Sequence, residues 1–245
     1  MEFESKTILV TGATSGIGYG TTRKLLESGA HVIAVGRNQP RLNELADIAP
    51  HRLKAVAFDL LDFNSYRARV ETLPKLDGVV HSAGITDSNP LRFFSLERYR
   101  QVIDTNQTAP TLLTAELLRA NMINRGGSIV FVASINGTSI GMRGSASYGA
   151  SKAALVGISR VVALEAGHKD IRSNCISPGI IETEMIENAT ELSERSRALD
   201  RTRYPLGERF GKVQEASDAI VFLLSSASSF ITGQNLIIDG GYTAL

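Results

Sequence analysis

Short apolar runs alternate along the chain with longer stretches in which apolar and polar residues recur at helical spacing. The short runs predict strands and the amphipathic stretches predict helices. The predicted strands cover residues 7–10, 31–35, 53–58, 78–81, 127–133, 171–176 and 235–238. The predicted helices run from a glycine-rich turn to about residue 28, and then over residues 39–48, 62–73, 95–124, 145–167 and 215–224.

Strands that alternate with helices in this way predict one parallel sheet covered by helices on both faces. The expected fold class is therefore α/β, a single-domain doubly wound sheet of the Rossmann type. No internal repeat, low-complexity tract or linker interrupts the pattern, so residues 1–245 are expected to form one domain. The polar stretch over about residues 183–212 is predicted to be a helical lid of the kind that closes over ligands.

The first predicted strand ends in a glycine-rich turn at residues 11–18, Thr-Gly-Ala-Thr-Ser-Gly-Ile-Gly. A turn of this kind between a strand and a helix can hold a pyrophosphate at the helix N-terminus. The glycine spacing, G-x-x-x-G-x-G, differs from the G-x-G-x-x-G fingerprint. The position between strand and helix nevertheless favours dinucleotide binding over a plain turn. The residues expected to contact a dinucleotide are Gly12, Ser15, Gly16, Ile17 and Gly18.

The second predicted strand runs into Gly36, Arg37 and Asn38. An acidic residue after this strand would bind the ribose 2′-hydroxyl of NAD, whereas an arginine accommodates the 2′-phosphate of NADP. Because no acid is present here and an arginine is, the sequence favours NADP(H) over NAD(H), with Arg37 and Asn38 as contacts. The alternative is that Arg37 is a solvated loop charge.

Two more strand ends carry small or polar residues at the same edge of the predicted sheet. Asp59 and Leu60 follow the third strand, where the adenine edge of a dinucleotide would lie. Ser82, Ala83 and Gly84 follow the fourth strand and form a turn of small residues. Small residues let a ribose approach the backbone, so this turn is also a candidate contact.

A tyrosine and a lysine four residues apart are the main candidates for chemistry. Tyr148 and Lys152 fall on one face of a predicted helix, one turn apart. An ammonium beside a phenol favours the phenolate, so the pair could exchange a proton with a substrate near neutral pH. Ser134 stands at the carboxyl end of the fifth strand, where this architecture places its chemistry. Taken alone, these residues fit surface polarity or a simple turn equally well.

Composition excludes several other classes of function. The 245 residues carry 26 basic and 25 acidic side chains, a net charge of +1, so nothing indicates binding to nucleic acid or an acidic membrane. One cysteine, Cys175, cannot build a metal site alone, and the histidines lack ligand-like spacing. No apolar run has the length of a membrane span and the N-terminal residues do not resemble a signal peptide, so a cytoplasmic location is expected.

Together these motifs resemble the short-chain dehydrogenase/reductase family over nearly the full chain. The resemblance rests on the glycine-rich turn, the Ser82-Ala83-Gly84 turn, Asn106, Ser134, the Tyr148-x-x-x-Lys152 pair, and Pro178-Gly179. Residues 205–207, 232–233 and 239–241 are also similar to the family. One departure is His81-Ser82, where the family often has two asparagines, and another is an extra residue between Ser134 and Tyr148.

The resemblance implies a role for each motif residue. Tyr148 would donate a proton to a substrate carbonyl, Ser134 would polarise that carbonyl, and Lys152 would lower the pKa of the phenol and bind the nicotinamide ribose. Asn106 would anchor a water that links Lys152 to solvent. Residues after the sixth strand would contact the dinucleotide, its carboxamide in particular, and these are Pro178, Gly179, Ile181 and Thr183.

The family similarity implies a reductase of ketones or aldehydes that uses NADP(H), with a homotetramer, or alternatively a homodimer, as the assembly. A 3-oxoacyl-[acyl-carrier-protein] reductase is the first alternative, because lid arginines could form a basic entrance for an acidic carrier protein. Interleaved acids favour a mixed-charge solvated helix instead. A dinucleotide-sensing protein without catalysis is the second alternative. The lid arginines are Arg195, Arg197, Arg201 and Arg203, and the acids are Glu191, Glu194 and Asp200.

Overall fold

The computed structural model describes residues 3–187 and 194–244 and shows a single α/β domain. Seven parallel strands form the central sheet in the order β3-β2-β1-β4-β5-β6-β9. The strands are β1 (Thr7–Thr11), β2 (His31–Val35), β3 (Leu53–Val56), β4 (Leu76–His81), β5 (Ile123–Val132), β6 (Arg172–Pro178), β7 (Ile181–Glu182), β8 (Gly211–Lys212) and β9 (Asn235–Ile238). The α-helices are α1 (Gly16–Glu27), α2 (Gln39–Ile48), α3 (Tyr66–Glu71), α4 (Leu96–Ile103), α5 (Ala109–Arg119), α6 (Ile135–Thr138), α7 (Ala146–Ala166), α8 (Glu184–Glu187), α9 (Glu194–Arg201) and α10 (Val213–Leu224).

The sheet is buried on both faces because successive side chains of a strand point in opposite directions. On one face, Ile8 and Val10 pack with Leu25 of α1 in a cluster that includes α10. On the other face, Leu9 belongs to a second cluster with Leu117 of α5 and residues of α7. Each such side chain contributes about 1.5–3 kcal/mol through burial. The predicted doubly wound α/β fold is thereby confirmed.

The parallel register brings the carboxyl ends of the central strands to one edge of the sheet. Thr11 of β1 is opposite Val35 of β2 and His81 of β4, and His81 is opposite Phe131 of β5. The loops that leave β1, β2, β4, β5 and β6 at this edge contain the glycine-rich turn and the other candidate residues. This edge is therefore the candidate site.

The long helix predicted over residues 95–124 is observed over residues 96–119 with one π-helical turn inside it, and its predicted end is wrong. Helix α4 passes through one π-helical turn, Asp104–Thr108, before α5 begins, and α5 stops at Arg119. Asn121 then adopts a positive φ of 52°, and β5 begins at Ile123. The apolar residues 122–123 continue the helical pattern in sequence, but Leu76 pairs with Ile123 in the sheet, and this long-range contact overrides the local preference.

The segment expected to be a lid begins with a feature that the sequence did not predict. Strand β7 pairs in parallel with β8, with Ile181 opposite Gly211 and Glu182 opposite Lys212, so both ends of the segment are joined. Helices α8 and α9 lie between them, and residues 188–193 fall outside the described part of the chain. The lid itself stays a prediction. Among the described helices, none combines the length and apolar character that a bilayer crossing requires.

Candidate active site

The glycine-rich turn after β1 lies directly against the backbone that follows β4. Gly12 has a φ of +66°, and a Cβ there would lie 2.8 Å from the N and Cα atoms of Ala83. A Cβ on Gly18 would lie 2.2 Å from the carbonyl oxygen of Gly12, so α1 packs on the turn through bare backbone. The Thr11 hydroxyl accepts hydrogen bonds from the N–H groups of Ser82 and Ala83 at 3.2 and 3.4 Å. The predicted turn and the Ser82–Gly84 segment therefore form one unit.

The residues at the start of α1 fit the pyrophosphate of a dinucleotide. The helix begins at Gly16, and the Ser15 side chain makes no capping hydrogen bond, so within the described part of the chain no side-chain cap competes with an anion for the N–H groups of the first turn. A cavity of about 640 Å³ opens here and runs along the outer face of α1. Its lining includes Ser15, Gly16, Tyr19, Arg41 and Thr183.

The residues predicted to contact the adenosine part of the dinucleotide differ in whether their polar groups already have hydrogen-bond partners. Arg37 is exposed, and among the described residues no hydrogen bond or ion pair engages its guanidinium, which leaves it available for a phosphate. Asn38 caps α2, because its Oδ1 accepts a hydrogen bond from the N–H of Arg41 at 3.2 Å. The Asp59 carboxylate accepts from the N–H of Leu61 at 3.0 Å, and the carbonyl of Leu60 accepts from the Tyr66 hydroxyl at 2.6 Å. Three of these groups therefore stabilise the local loops.

Tyr148 and Ser134 are brought together at the end of β5. Tyr148 is half-buried in the first turn of α7, and Ser134 follows β5 and caps α6 by accepting a hydrogen bond from the N–H of Asn136 at 3.2 Å. Burial raises the pKa of the Tyr148 phenol above its usual value, while a hydrogen bond with Ser134 acts in the lowering direction. The phenol is thus in its proton-carrying form at neutral pH.

Lys152 lies behind Tyr148 and is almost fully buried, with 5% of its surface exposed. Its ammonium donates a hydrogen bond to the carbonyl of Val132 at 2.7 Å and lies 5.7 Å from the centre of the Tyr148 ring. Burial is the main cause that lowers the pKa of Lys152 to about 8. Its expected lowering of the phenol's pKa stays a prediction, since burial dominates the Tyr148 pKa here.

Asn106 occupies the π-helical turn, which turns its side chain into the site. Its Oδ1 accepts from the N–H of Ile85 at 2.8 Å, and its Nδ2 donates to the Ile85 carbonyl at 2.9 Å and to the Ser151 hydroxyl at 3.1 Å. A Cβ on Gly84 would lie 3.3 Å from both the Asn106 Oδ1 and the Lys152 Nζ. The absence of a side chain at Gly84 therefore lets Asn106 and Lys152 approach the same point. The amide oxygen keeps a second lone pair for the predicted water.

The residues after β6 cross back towards the glycine-rich turn. Gly179 donates its N–H to the Ile238 carbonyl at 2.9 Å, and the next N–H, of Ile180, donates to the Tyr204 hydroxyl at 3.0 Å. The methyl group of Thr183 would be 3.3 Å from a Cβ on Gly16. Pro178, Gly179, Ile181 and Thr183 thus lie on a segment that starts at the carboxyl edge of the sheet and ends over the glycine-rich turn.

Two contributors were not anticipated from the sequence. The Ser151 hydroxyl links Asn106 to the carbonyl of Tyr148, to which it donates at 2.7 Å. His81 bonds through Nε2 to the Thr114 hydroxyl at 2.8 Å and stacks on Phe131, so this departure from the family pattern ties β4 to α5. The only signal for Ser151 was its place inside the Tyr148–Lys152 stretch. No group of metal-ligating side chains occurs within residues 3–187 and 194–244.

Comparisons with known proteins agree with this geometry. Residues 12–243 match a family model described as "Enoyl-(Acyl carrier protein) reductase". The chain is 36% identical over 248 residues to a 3-oxoacyl-[acyl-carrier-protein] reductase of Thermotoga maritima, covering 98% of this chain and 99% of that protein. A reductase of the same name from Rickettsia felis is 34% identical over 241 residues, covering 98% of each chain. The structure of a short-chain dehydrogenase/reductase (glucose/ribitol dehydrogenase) from Brucella melitensis superposes with a TM-score of 0.90 at 32% identity and 98% coverage of both chains.

Proposed function

Because the chain belongs to the short-chain dehydrogenase/reductase family, a family of oxidoreductases that use a nicotinamide dinucleotide, we propose that it transfers a hydride between NADP(H) and its substrate. The proposed substrate is a ketone or aldehyde, or in the reverse direction the corresponding secondary alcohol. The observation that carries the proposal is the convergence of Ser134, Tyr148 and Lys152 beside the glycine-rich turn. A dinucleotide-binding protein without catalysis has no need of this buried lysine and phenol together.

The proposed mechanism follows from the positions of these side chains. When bound, the nicotinamide dinucleotide supplies or accepts the hydride. Ser134 and Tyr148 donate hydrogen bonds to the carbonyl oxygen, where negative charge develops during reduction. Tyr148 then transfers its proton to that oxygen as a general acid, and it accepts a proton from the alcohol in the reverse direction. The high pKa of the free phenol keeps the proton in place until the oxygen becomes basic.

Lys152 is the group that stabilises the phenolate form of Tyr148. Its ammonium, held 5.7 Å from the ring centre by the Val132 carbonyl, stabilises the negative charge that remains on Tyr148 after proton transfer. The Asn106 Oδ1 lies near the same point beside Gly84, where it can hold a water that returns a proton. We therefore assign Asn106, Ser134, Tyr148 and Lys152 as the catalytic group.

The first alternative substrate is a 3-oxoacyl thioester carried by an acyl carrier protein. Full-length relatives at 34–36% identity bear this name, which favours the assignment more than any feature of the pocket. The predicted basic entrance receives little support from the described arginines. Arg197 donates to the Ile186 carbonyl, Arg201 lies over the Phe210 ring, and Arg203 pairs with Asp200, while the Arg195 and Glu194 side chains and Glu191 fall outside the described residues.

A turnover screen with both nucleotides tests the function and the cofactor. Oxidation of NADPH should accompany reduction of at least one carbonyl among 3-oxoacyl thioesters, diketones, keto sugars and cyclic ketones, and NADH should be a poorer donor.

Because Arg37 is free to bind the 2′-phosphate, Arg37→Ala should weaken NADPH binding by about 10- to 100-fold and leave NADH binding unchanged. The matched control is Arg67→Ala, an exposed arginine on α3. Equal affinities of the parent for both nucleotides would contradict the cofactor assignment, and dinucleotide binding without turnover of any carbonyl would favour a sensing role.

We also propose that the protein assembles as a homotetramer. Large apolar side chains are exposed on several elements, among them α7 at Leu164 (84% exposed) and the segment before β9 at Phe230 (102%). A tetramer with three two-fold axes requires at least two distinct surfaces that each pair with themselves, and these two elements are the surfaces that we propose. Light scattering should give four times the chain mass of 26.4 kDa. A mass of two chains would indicate the homodimer, and a mass of one chain would contradict the proposal. The cytoplasmic location stays a prediction.

A further inference from the structure

An ion pair joins two distant elements beside the phosphate-binding turn. The Arg41 Nη2 atom on α2 lies 2.6 Å from the Glu184 Oε1 atom at the start of α8, and 143 residues separate the two in sequence. Arg23 and Glu27, an ion pair beside the same cavity, lie within one helix, α1. The Arg41–Glu184 pair therefore links the element after β2 with the segment after β7.

The guanidinium of Arg41 is held in place before it meets Glu184. Its Nη1 donates to the Glu44 carboxylate at 3.0 Å, and its Cζ lies 5.3 Å from the centre of the Tyr19 ring. The Tyr19 hydroxyl in turn donates to the same Glu44 oxygen at 3.3 Å. Because two neighbours restrict the arginine, little side-chain entropy is lost when Glu184 binds it.

The pair closes one side of the cavity at the start of α1. Ser15, Gly16, Arg41, Thr183 and Glu184 all line that cavity. Thr183, the neighbour of Glu184, is the residue whose methyl group reaches Gly16. The segment over the turn is thus anchored on one side by the pairing of β7 with β8 and on the other side by the ion pair.

We propose that Arg41 and Glu184 form a clasp that slows the release of the dinucleotide. The inference rests on the proposed function, because it takes the turn at Ser15 and Gly16 as the dinucleotide site. A ligand on this turn lies beneath Thr183, so its departure requires the segment to move away from α2, and this movement breaks the ion pair. Arg41 and Glu184 are positioning residues, since they act through the segment that covers the ligand.

The expected size of the effect follows from the exposure of the pair. The side chains are 36% and 55% exposed, and exposed ion pairs are weak, so loss of this pair should change a rate by no more than about fivefold. The direction of the change in the release rate distinguishes the clasp from a direct electrostatic effect of the two side chains on the ligand. Removing the negative charge of Glu184 near an anionic ligand would by itself slow release, and so would freeing Arg41 to bind a 2′-phosphate. The clasp predicts faster release.

The test is the dissociation rate of NADPH, measured by stopped-flow fluorescence with excess competitor. Glu184→Gln should raise this rate about two- to fivefold, and the parent should approach the variant at high salt, where the pair is screened. Arg41→Gln combined with Glu184→Gln should be no faster than the faster single variant, because both remove one interaction. The matched control is Arg23→Gln, which breaks the Arg23–Glu27 pair in the same cavity and should leave the rate unchanged.

The outcomes distinguish the clasp from the function on which it rests. If the parent binds NADPH but Glu184→Gln releases it at the parent rate or more slowly, the clasp is wrong and the function stands. Additive effects of the two substitutions would also overturn the clasp. If the parent binds neither NADPH nor NADH, the proposed function fails and the clasp fails with it. Both side chains are exposed, so the melting temperatures of the variants should match that of the parent.

Discussion

Replacing Tyr148 with phenylalanine is expected to lower kcat for carbonyl reduction by about 10²- to 10⁴-fold, the usual contribution of a positioned general acid. The phenylalanine keeps the ring packed at the start of α7 and removes only the hydroxyl that carries the proton. Binding of NADPH should remain within a few-fold of the parent, because the glycine-rich turn and Arg37 are untouched. Single-turnover kinetics and fluorescence titration measure the two quantities separately.

The matched control for this experiment is Tyr99→Phe on α4, a tyrosine that packs on Phe94. It should reduce substrate at the parent rate.

In the parent, kcat/KM for reduction should fall above about pH 8, since Lys152 loses its proton there and no longer stabilises the phenolate. Parent-like turnover by Tyr148→Phe would rule out the proposed acid.

A methyl group on Gly18 is expected to have the second largest effect. Its Cβ would lie 2.2 Å from the Gly12 carbonyl oxygen, far inside van der Waals contact, and both groups are backbone that cannot rotate away. Either α1 or the turn must shift, which should weaken NADPH binding by about 100-fold or more. The free energy of unfolding should fall by about 1–3 kcal/mol, as for other overpacked sites. Nucleotide titration and denaturant unfolding measure both changes.

Gly157→Ala is the matched control, because this glycine lies in α7 with open space around its missing Cβ. There, alanine should stabilise the helix by up to about 1 kcal/mol relative to glycine and leave dinucleotide binding unchanged. The contrast separates a glycine required by close approach from one that only lowers helix propensity. If Gly18→Ala bound NADPH as tightly as the parent, the turn would not be the pyrophosphate site.

Elements whose own residues form a distinctive pattern could be located from the sequence alone. The apolar strands β1, β2 and β6 and the glycine-rich turn were located from sequence, because a buried strand reads as an apolar run and a turn needs glycine. The spacing of Tyr148 and Lys152 placed both on one side of α7, as observed. The predicted end of the helix through Asn106 was wrong, because Ile123 pairs with Leu76 in the sheet. The π-helical turn inside that helix was not predicted, because Asn106 there bonds Ile85 and Ser151, which lie far away in sequence.

The sequence alone determined the α/β fold, the order along the chain of the seven strands of the central sheet and the identity of the candidate chemical groups, since these depend on periodicity and on short motifs. The tertiary structure alone decided which groups meet. It brought the Asn106 oxygen and the Lys152 ammonium to Gly84, and it joined Arg41 to Glu184 across 143 residues. Such contacts depend on how the chain folds back on itself, and no local pattern predicts a contact between residues so distant in sequence.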